Sequence, residues 1–299
     1  MNMEYMKVSG SSSSCPPKWW SEKTVVVVTG ANKGIGFALV KRLAELGLTV
    51  VLTSRDVGRG KAAAESLRAQ GTLVEFCQLD VSDPSSIHAF VAWLKCRFGG
   101  LDILVNNAGV SFNDVYSNSI EHAHAETVID TNFYGAKRLT EALVPVFRRS
   151  ATVSRILNIS SQLGLLNKVR NLSVKKLLED DEGALTVAAI DGVVSQFLQH
   201  VKMGTWEEEG WPKVWTDYAV SKLALNAYSR VLARQEEGRG LSVNCFCPGF
   251  TRTAMTGGQG QHSAEEAAEV AARLALMPPG GLLTGKFFKW SKPFMYSML

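Results

Sequence analysis

The sequence predicts an α/β fold, a doubly wound parallel sheet closed as a single domain, and three observations carry that prediction. Apolar runs rich in Val, Ile and Leu recur along the 299-residue chain, beginning with Val25-Val26-Val27-Val28. Amphipathic stretches separate them. A glycine-rich turn, Gly30-Ala31-Asn32-Lys33-Gly34-Ile35-Gly36, joins the first run to the first stretch. Strands that are apolar at every position are buried on both faces, and crossover helices are the elements that bury them.

The elements follow in order. Residues 1–18 carry Ser-Ser-Ser-Ser and Pro-Pro without apolar periodicity, so they read as a disordered tail outside the fold. The run at Val25–Val28 is a strand, and Phe37 to Leu46 is a helix stopped by Gly47. A strand at Leu48–Thr53, a helix around Lys61–Arg68, a strand at Leu73–Leu79, a helix around Ser86–Phe98 and a strand at Leu101–Val105 continue the alternation. Residues 126–149 read as one helix, Arg155–Ile159 as a strand, Thr216–Arg234 as a helix and Leu241–Cys247 as a strand. Ser263-Ala264-Glu265-Glu266 is a capping box that starts a further helix. Residues 19–299 therefore form one domain, interrupted by an insert at about 162–216. Within the insert, Ile190, Val193, Val194, Phe197, Leu198 and Val201 fall at helical spacing, which predicts an extra helix laid over the parent core.

Composition excludes several function classes. The net charge is +4 and only 20% of residues are charged, with the signs interspersed, so neither a nucleic-acid stripe nor a disordered acidic segment is predicted. No apolar run approaches a membrane span and the N-terminus lacks a secretory pattern, which predicts a cytoplasmic protein with no membrane partner. Cys15, Cys77, Cys96, Cys245 and Cys247 contain no CxxC pair, and His88, His122, His124, His200 and His262 match no ligand spacing, so no metal is predicted and the histidines read as surface residues. Asn171-Leu172-Ser173 fits a glycosylation acceptor but lacks the secretory context. The terminal Ser297-Met298-Leu299 resembles a peroxisomal address without its basic middle residue.

The chemistry starts at the glycine turn. Placed between a strand and a helix, it brings backbone amides and a helix N-terminus to a pyrophosphate, as in a Rossmann-type nucleotide fold. Such folds place an acid at the end of the second strand to bind a ribose hydroxyl. Here the sequence has Ser54-Arg55, and Arg55, Arg59 and Lys33 instead offer cations to a 2′-phosphate, which predicts NADPH. Asp56 is the counter-signal and reads as a helix N-cap. Further on, Tyr218 and Lys222 lie one turn apart on a helix that follows the strand ending Asn158-Ile159-Ser160-Ser161.

In this order the motifs resemble the short-chain dehydrogenase/reductase family over about residues 24–290: Gly30-Gly34-Gly36, Asp80, Asn106-Asn107-Ala108-Gly109, Asn132, Ser161, Tyr218 with Lys222, and Pro248-Gly249. The long insert, Thr53-Ser54-Arg55-Asp56 and Glu209-Gly210-Trp211-Pro212 resemble its carbonyl-reductase branch, and Trp19-Trp20-Ser21 resembles the plant members. The resemblance implies a monomeric NADPH-dependent carbonyl reductase acting on a small-molecule aldehyde or ketone, such as a terpenoid or other plant specialised metabolite. It assigns catalysis to Asn132, Ser161, Tyr218 and Lys222, with Asn132 holding a relay water and Ser161 chosen over Ser160. It assigns cofactor contacts to Gly30, Asn32, Lys33, Gly34, Ile35, Gly36, Arg55, Arg59, Asp80, Val81, Asn107, Gly109, Tyr218, Lys222, Pro248, Gly249, Thr251 and Thr253. Gly257-Gly258-Gln259-Gly260 resembles the hinge of a substrate loop.

Carbonyl reduction places a hydride on carbon and a proton on oxygen. Tyr218 is a phenol with an ordinary pKa near 10. A Lys222 charge about 5 Å away contributes about 3 kcal/mol at an effective dielectric near 20, so Lys222 is expected to lower the phenol by about two pKa units. Three alternatives stay open: an enone reductase of the same branch, which the intact Tyr218 opposes, a non-catalytic NADPH sensor, which needs only the glycine turn, and a dehydrogenase running toward the ketone, which has the same residues and differs only in the cellular cofactor ratio.

Overall fold

The computed structural model describes residues 4–5, 18–112, 120–149, 154–180, 183, 185–279, 282–290 and 295–298. The chain runs β1 (Glu4–Tyr5), β2 (Val25–Val28), α1 (Gly34–Glu45), β3 (Thr49–Ser54), α2 (Val57–Arg68), β4 (Val74–Gln78), α3 (Pro84–Phe98) and β5 (Ile103–Asn106). It continues through α4 (His122–Ile129), α5 (Ala136–Leu143), β6 (Ser154–Ile159), α6 (Leu172–Glu179), α7 (Val187–Met203), α8 (Thr216–Gln235), β7 (Leu241–Cys247), α9 (Ala264–Ala275), β8 (Lys286–Lys289) and β9 (Met295–Met298). Among the described residues one sheet holds every strand, in the order β1-β9-β8-β7-β6-β5-β2-β3-β4. The seven strands from β4 to β8 are parallel, while β9 and β1 add an antiparallel edge.

The four valines of β2 show why the sheet needs two layers of helix. Val25 and Val27 pack into a core with residues of α3, α4, α5, α7 and α8, whereas Val26 and Val28 pack into another with α1, α2 and α9. Side chains alternate across a strand, so an unbroken apolar run is stable only with both faces covered. Two indoles fasten the second layer from below. The Nε1 of Trp19 donates to the Leu276 carbonyl after α9 at 3.1 Å, and that of Trp20 donates to the Leu46 carbonyl after α1 at 3.3 Å. The buried Arg155 guanidinium lies 3.8 Å over the Trp19 ring.

The structure departs from the sequence reading in four places. Glu4–Tyr5, within the segment expected to lie outside the fold, pairs antiparallel with β9, because an edge strand is held by backbone bonds that need no apolar pattern. The helix expected over 126–149 is broken: α4 ends in a wide π turn over Asp130–Gly135 before α5 resumes, and Val144–Val146 closes as a 3-10 turn containing Pro145. Gly135 in that turn sits where an added Cβ would fall 2.7 Å from Val81 Cγ2, so the turn can lie close against the residue after β4. His200, expected at the surface, is 8% exposed and accepts the Trp211 indole N–H at 3.1 Å. Strands β8 and β9 add to the parallel core and edge.

The insert forms α6 and α7. Ile190, Val193, Val194, Phe197 and Val201 are buried as their spacing predicts, and α7 lies on α4 and α8. Lys137 of α5 pairs with Asp191 of α7 at 2.7 Å. Asn171 is the N-cap of α6, accepting from Val174 N and donating to the Glu209 carbonyl, so its amide is committed to the fold. Among the described residues no helix is long and apolar enough to cross a membrane, and no group of three His, Cys, Asp or Glu is placed to hold a metal. Cys15 and Leu299 lie outside the described residues.

Candidate active site

Strand order reverses between β2 and β5, and at the carboxyl ends of the strands there a cavity of about 410 Å³ opens. Ligands of doubly wound sheets bind at this reversal. Its floor on one side is the glycine turn. Gly30 adopts φ +61°, and a Cβ on it would fall 2.8 Å from the Ala108 backbone, so no other residue fits without moving the chain. Gly36 would meet the Asn107 amide at 2.4 Å, which makes it a packing position behind the wall rather than part of it. Asn107 in turn donates to the Thr29 and Gly30 carbonyls, fixing the turn it borders.

Helix α1 begins in that turn with an extended Lys33 as N-cap and no side-chain cap. Its first amides thus have no side chain to accept from them, which leaves them available to an anion, as helix N-termini commonly are. Asn32, Lys33, Gly34, Ile35, Asn107 and Gly109 line this end together with Arg55 from beyond β3 and Asp80 and Val81 from beyond β4. Arg55 is exposed toward the cavity mouth. Arg59 does not line the cavity. Its guanidinium pairs with Asp56 at 2.9 Å, and Asp56 also caps α2 by accepting from Arg59 N, as the sequence predicts for that acid. Asp80 accepts from the amide and hydroxyl of Ser82, so it shapes the turn while bordering the cavity.

The opposite wall comes from β6, α8 and the loop after β7. Tyr218 and Lys222 share one face of α8, with the Lys222 Nζ 5.5 Å from the Tyr218 ring centre and donating to the Ile159 carbonyl at 2.8 Å. Ser160 and Ser161 both reach the cavity, but only one is uncommitted to the core. Ser160 Oγ donates to Asn226 of α8 at 2.6 Å, whereas Ser161 Oγ accepts from Leu163 N, a bond that leaves its proton available. Pro248, Gly249, Thr251 and Thr253 complete this side, with the Thr251 hydroxyl turned onto the Pro248 carbonyl.

Asn132 stands behind the wall, 1% exposed, in the π turn. Its Oδ1 accepts from Val110 N, and its Nδ2 donates to the Val110 carbonyl and to Ser221 Oγ. Ser221 Oγ donates onward to the Tyr218 carbonyl at 2.7 Å. The carboxamide thereby ties the loop after β5 to the backbone of Tyr218.

Burial sets the electrostatics. It lowers the Lys222 ammonium to about 8, and it raises the Tyr218 phenol above its ordinary value, with Cys247 adding to the rise. That direction runs against the lowering expected from Lys222, because burial disfavours the charged phenolate.

Sequence reasoning missed several cavity residues: Val110, Gln162, Leu163 and Cys247. Apolar residues after a strand carry no signal separating a pocket wall from a core. Trp215 and Met255 also line it. Trp215 is the N-cap of α8 at φ +48°, ψ +55°, and among the described residues it is the one non-glycine with positive φ. That conformation costs about 1–2 kcal/mol in an L-residue.

The chain belongs to the short chain dehydrogenase family, whose model matches residues 24–174, and it is an oxidoreductase. Residues 200–278 match a second model, described as enoyl-(acyl carrier protein) reductase. Among relatives, (+)-neomenthol dehydrogenase of Arabidopsis thaliana is 41% identical over 88% of this chain and 94% of its own. Carbonyl reductase [NADPH] 1 of Mus musculus is 38% identical over 87% of this chain and 93% of its own. The solved structure of salutaridine reductase from Papaver somniferum superposes with TM-score 0.82 at 38% identity, covering 90% of this chain and all of that one.

Proposed function

We propose that the protein reduces the carbonyl of a small, largely apolar aldehyde or ketone to an alcohol with NADPH. The observation that carries this reading is one cavity lined both by the uncapped glycine turn with Arg55 and by Ser161, Tyr218 and Lys222. Support for the cofactor comes from the tight cradle at Gly30, the basic residue where an acid would select NADH, and a relative named for NADPH. Gly30, Asn32, Lys33, Gly34 and Ile35 would hold the pyrophosphate, Arg55 the 2′-phosphate, Asp80 and Val81 the adenine, and Asn107, Gly109, Pro248, Gly249, Thr251 and Thr253 the remainder. When bound, NADPH supplies the hydride.

The chain's own residues handle the proton. The Ser161 hydroxyl donates to the carbonyl oxygen and orients it, and Tyr218 transfers its phenolic proton to that oxygen as negative charge develops there. A phenol raised by burial holds its proton at neutral pH, which is the form a donor needs. Lys222, still charged below about 8, stabilises the phenolate left behind. It also lies within reach of the nicotinamide ribose, as the family resemblance implies. Asn132 positions Tyr218 through Ser221. The fold is proposed to work as a monomer of one domain, since α7 already covers α4 and α8.

The test is the loss of NADPH absorbance across a panel of cyclic terpenoid ketones and aromatic aldehydes, set beside NADH. Consumption of NADPH in preference to NADH is expected. Tight NADPH binding with no turnover of any carbonyl, in a protein whose Tyr218→Phe form behaves identically, would leave a sensor in its place.

A further inference from the structure

Trp215 is an unlikely residue for its position on two counts. Helices start best at Ser, Thr, Asp or Asn, yet α8 starts at a tryptophan with no side-chain cap. Left-handed backbone belongs to glycine and sometimes asparagine, yet here it carries the largest side chain available. It stands where the chain passes from the exposed Lys213 and Val214 to the buried Thr216 and Asp217. What the conformation achieves is placement. The indole lines the cavity and stands edge-to-face against the Tyr218 ring, with centroids 5.7 Å apart and planes at 85°. The helix is locked onto it by the Ala219 amide, which donates to the Trp215 carbonyl at 2.6 Å. Strained residues that persist at a site are held there by what they do.

We infer that Trp215 is the specificity-determining residue of this pocket, an aromatic shelf beside the proton donor that selects carbonyl compounds whose adjoining group is flat and π-bearing. The inference rests on the carbonyl-reductase reading and deepens it. A carbonyl oxygen held by Ser161 and Tyr218 places the group on the carbonyl carbon next to the indole. A ring conjugated with that carbonyl lies in its plane and gains stacking or edge contact with the indole. A saturated ring of the same size gains only apolar contact. Val110, Leu163 and Met255 offer no π surface, and the other apolar aromatic of the lining, Phe250, stands on the loop after β7 rather than on α8.

The test compares benzaldehyde with cyclohexanecarbaldehyde, which match in size and differ in π character. With NADPH, kcat/KM is measured for the natural chain and for Trp215→Phe, Trp215→Leu and Trp215→Asn. The aryl preference, read as the ratio of the two kcat/KM values, should fall about three- to tenfold in the Leu and Asn forms and survive in the Phe form. Asn suits left-handed backbone, so a poorly folded Leu form does not end the test. Equal losses for both aldehydes, or no loss for either, overturn the shelf. If the natural chain reduces neither aldehyde, the carbonyl reading is decided separately by the wider panel of ketones and aldehydes. The shelf is then judged by calorimetric titration of both compounds into the NADPH-loaded protein. A binding preference for benzaldehyde that Trp215→Leu abolishes upholds it, and equal affinities, or no binding, overturn it.

Discussion

The two ends of the cavity are built by different means. At the nucleotide end, backbone does the positioning: a strand, a turn with glycines at φ +61° and +59°, and a helix whose first amides lack a side-chain cap. At the substrate end, side chains from β6, the insert, α8 and the loop after β7 converge across distant sequence, and one of them is held in strained backbone. The first end is local and relaxed; the second is assembled and strained. Recognition of a constant cofactor suits the former, and a variable substrate suits the latter, because a wall made of remote side chains changes without disturbing the turn.

Substitutions can break that contrast, beginning with the largest effect. Tyr218→Phe removes the proton donor alone, so kcat/KM for carbonyl reduction should fall about 10²–10⁴-fold while NADPH affinity measured by fluorescence titration stays within a few-fold. A variant as active as the natural chain would end the assignment. At the other end, Gly30→Ala places a Cβ against the Ala108 backbone in left-handed conformation. It should weaken NADPH binding at least about tenfold, a loss that substrate concentration does not recover. Next, Arg55→Asp should lower the NADPH over NADH preference in kcat/KM by about ten- to a hundredfold, the worth of a charge-assisted bond. Arg59→Ala should move it less than about threefold, since that guanidinium is engaged by Asp56.

The smallest effect is on stability and tests whether the substrate end is strained electrostatically as well. Lys222 is lowered from 10.5 to about 8 by burial. Between those values the unfolded chain binds more protons than the folded one, so the cofactor-free protein should gain stability as pH rises through that window. A shift of that size corresponds to about 3 kcal/mol at lower pH, and losing the bond to Ile159 offsets about 1 kcal/mol. Lys222→Met should therefore stabilise the cofactor-free protein at neutral pH by about 2 kcal/mol in urea denaturation while abolishing turnover. Tyr218, raised by burial, acts in the opposite direction only above the ordinary phenol value of 10.0.

The same contrast explains what could be read in advance. Val25–Val28, the turn at Gly30–Gly36 and the pair Tyr218–Lys222 are local patterns, and each occupies the element its spacing implies. The amphipathic positions of α7 were equally legible. The π turn around Asn132 was not, because the partners its carboxamide bonds within it, Val110 and Ser221, are remote in sequence. Nor was the electrostatics of Tyr218, since a charge can be counted from sequence whereas its desolvation cannot. Edge strand β1 escaped for a third reason: two residues paired through backbone leave no side-chain signature.

Trp19 and Trp20 set a boundary for anyone who shortens the chain. A version that begins at Lys18 keeps both indole bonds and the ring over Arg155, and with them the lower ends of α1 and α9. One that begins at Lys23 loses all three while leaving every residue of the cavity in place. Those few positions hold contacts of the helical layer and none of the cavity, so the anchoring of α1 and α9 and the selectivity of the pocket have separate addresses along the chain.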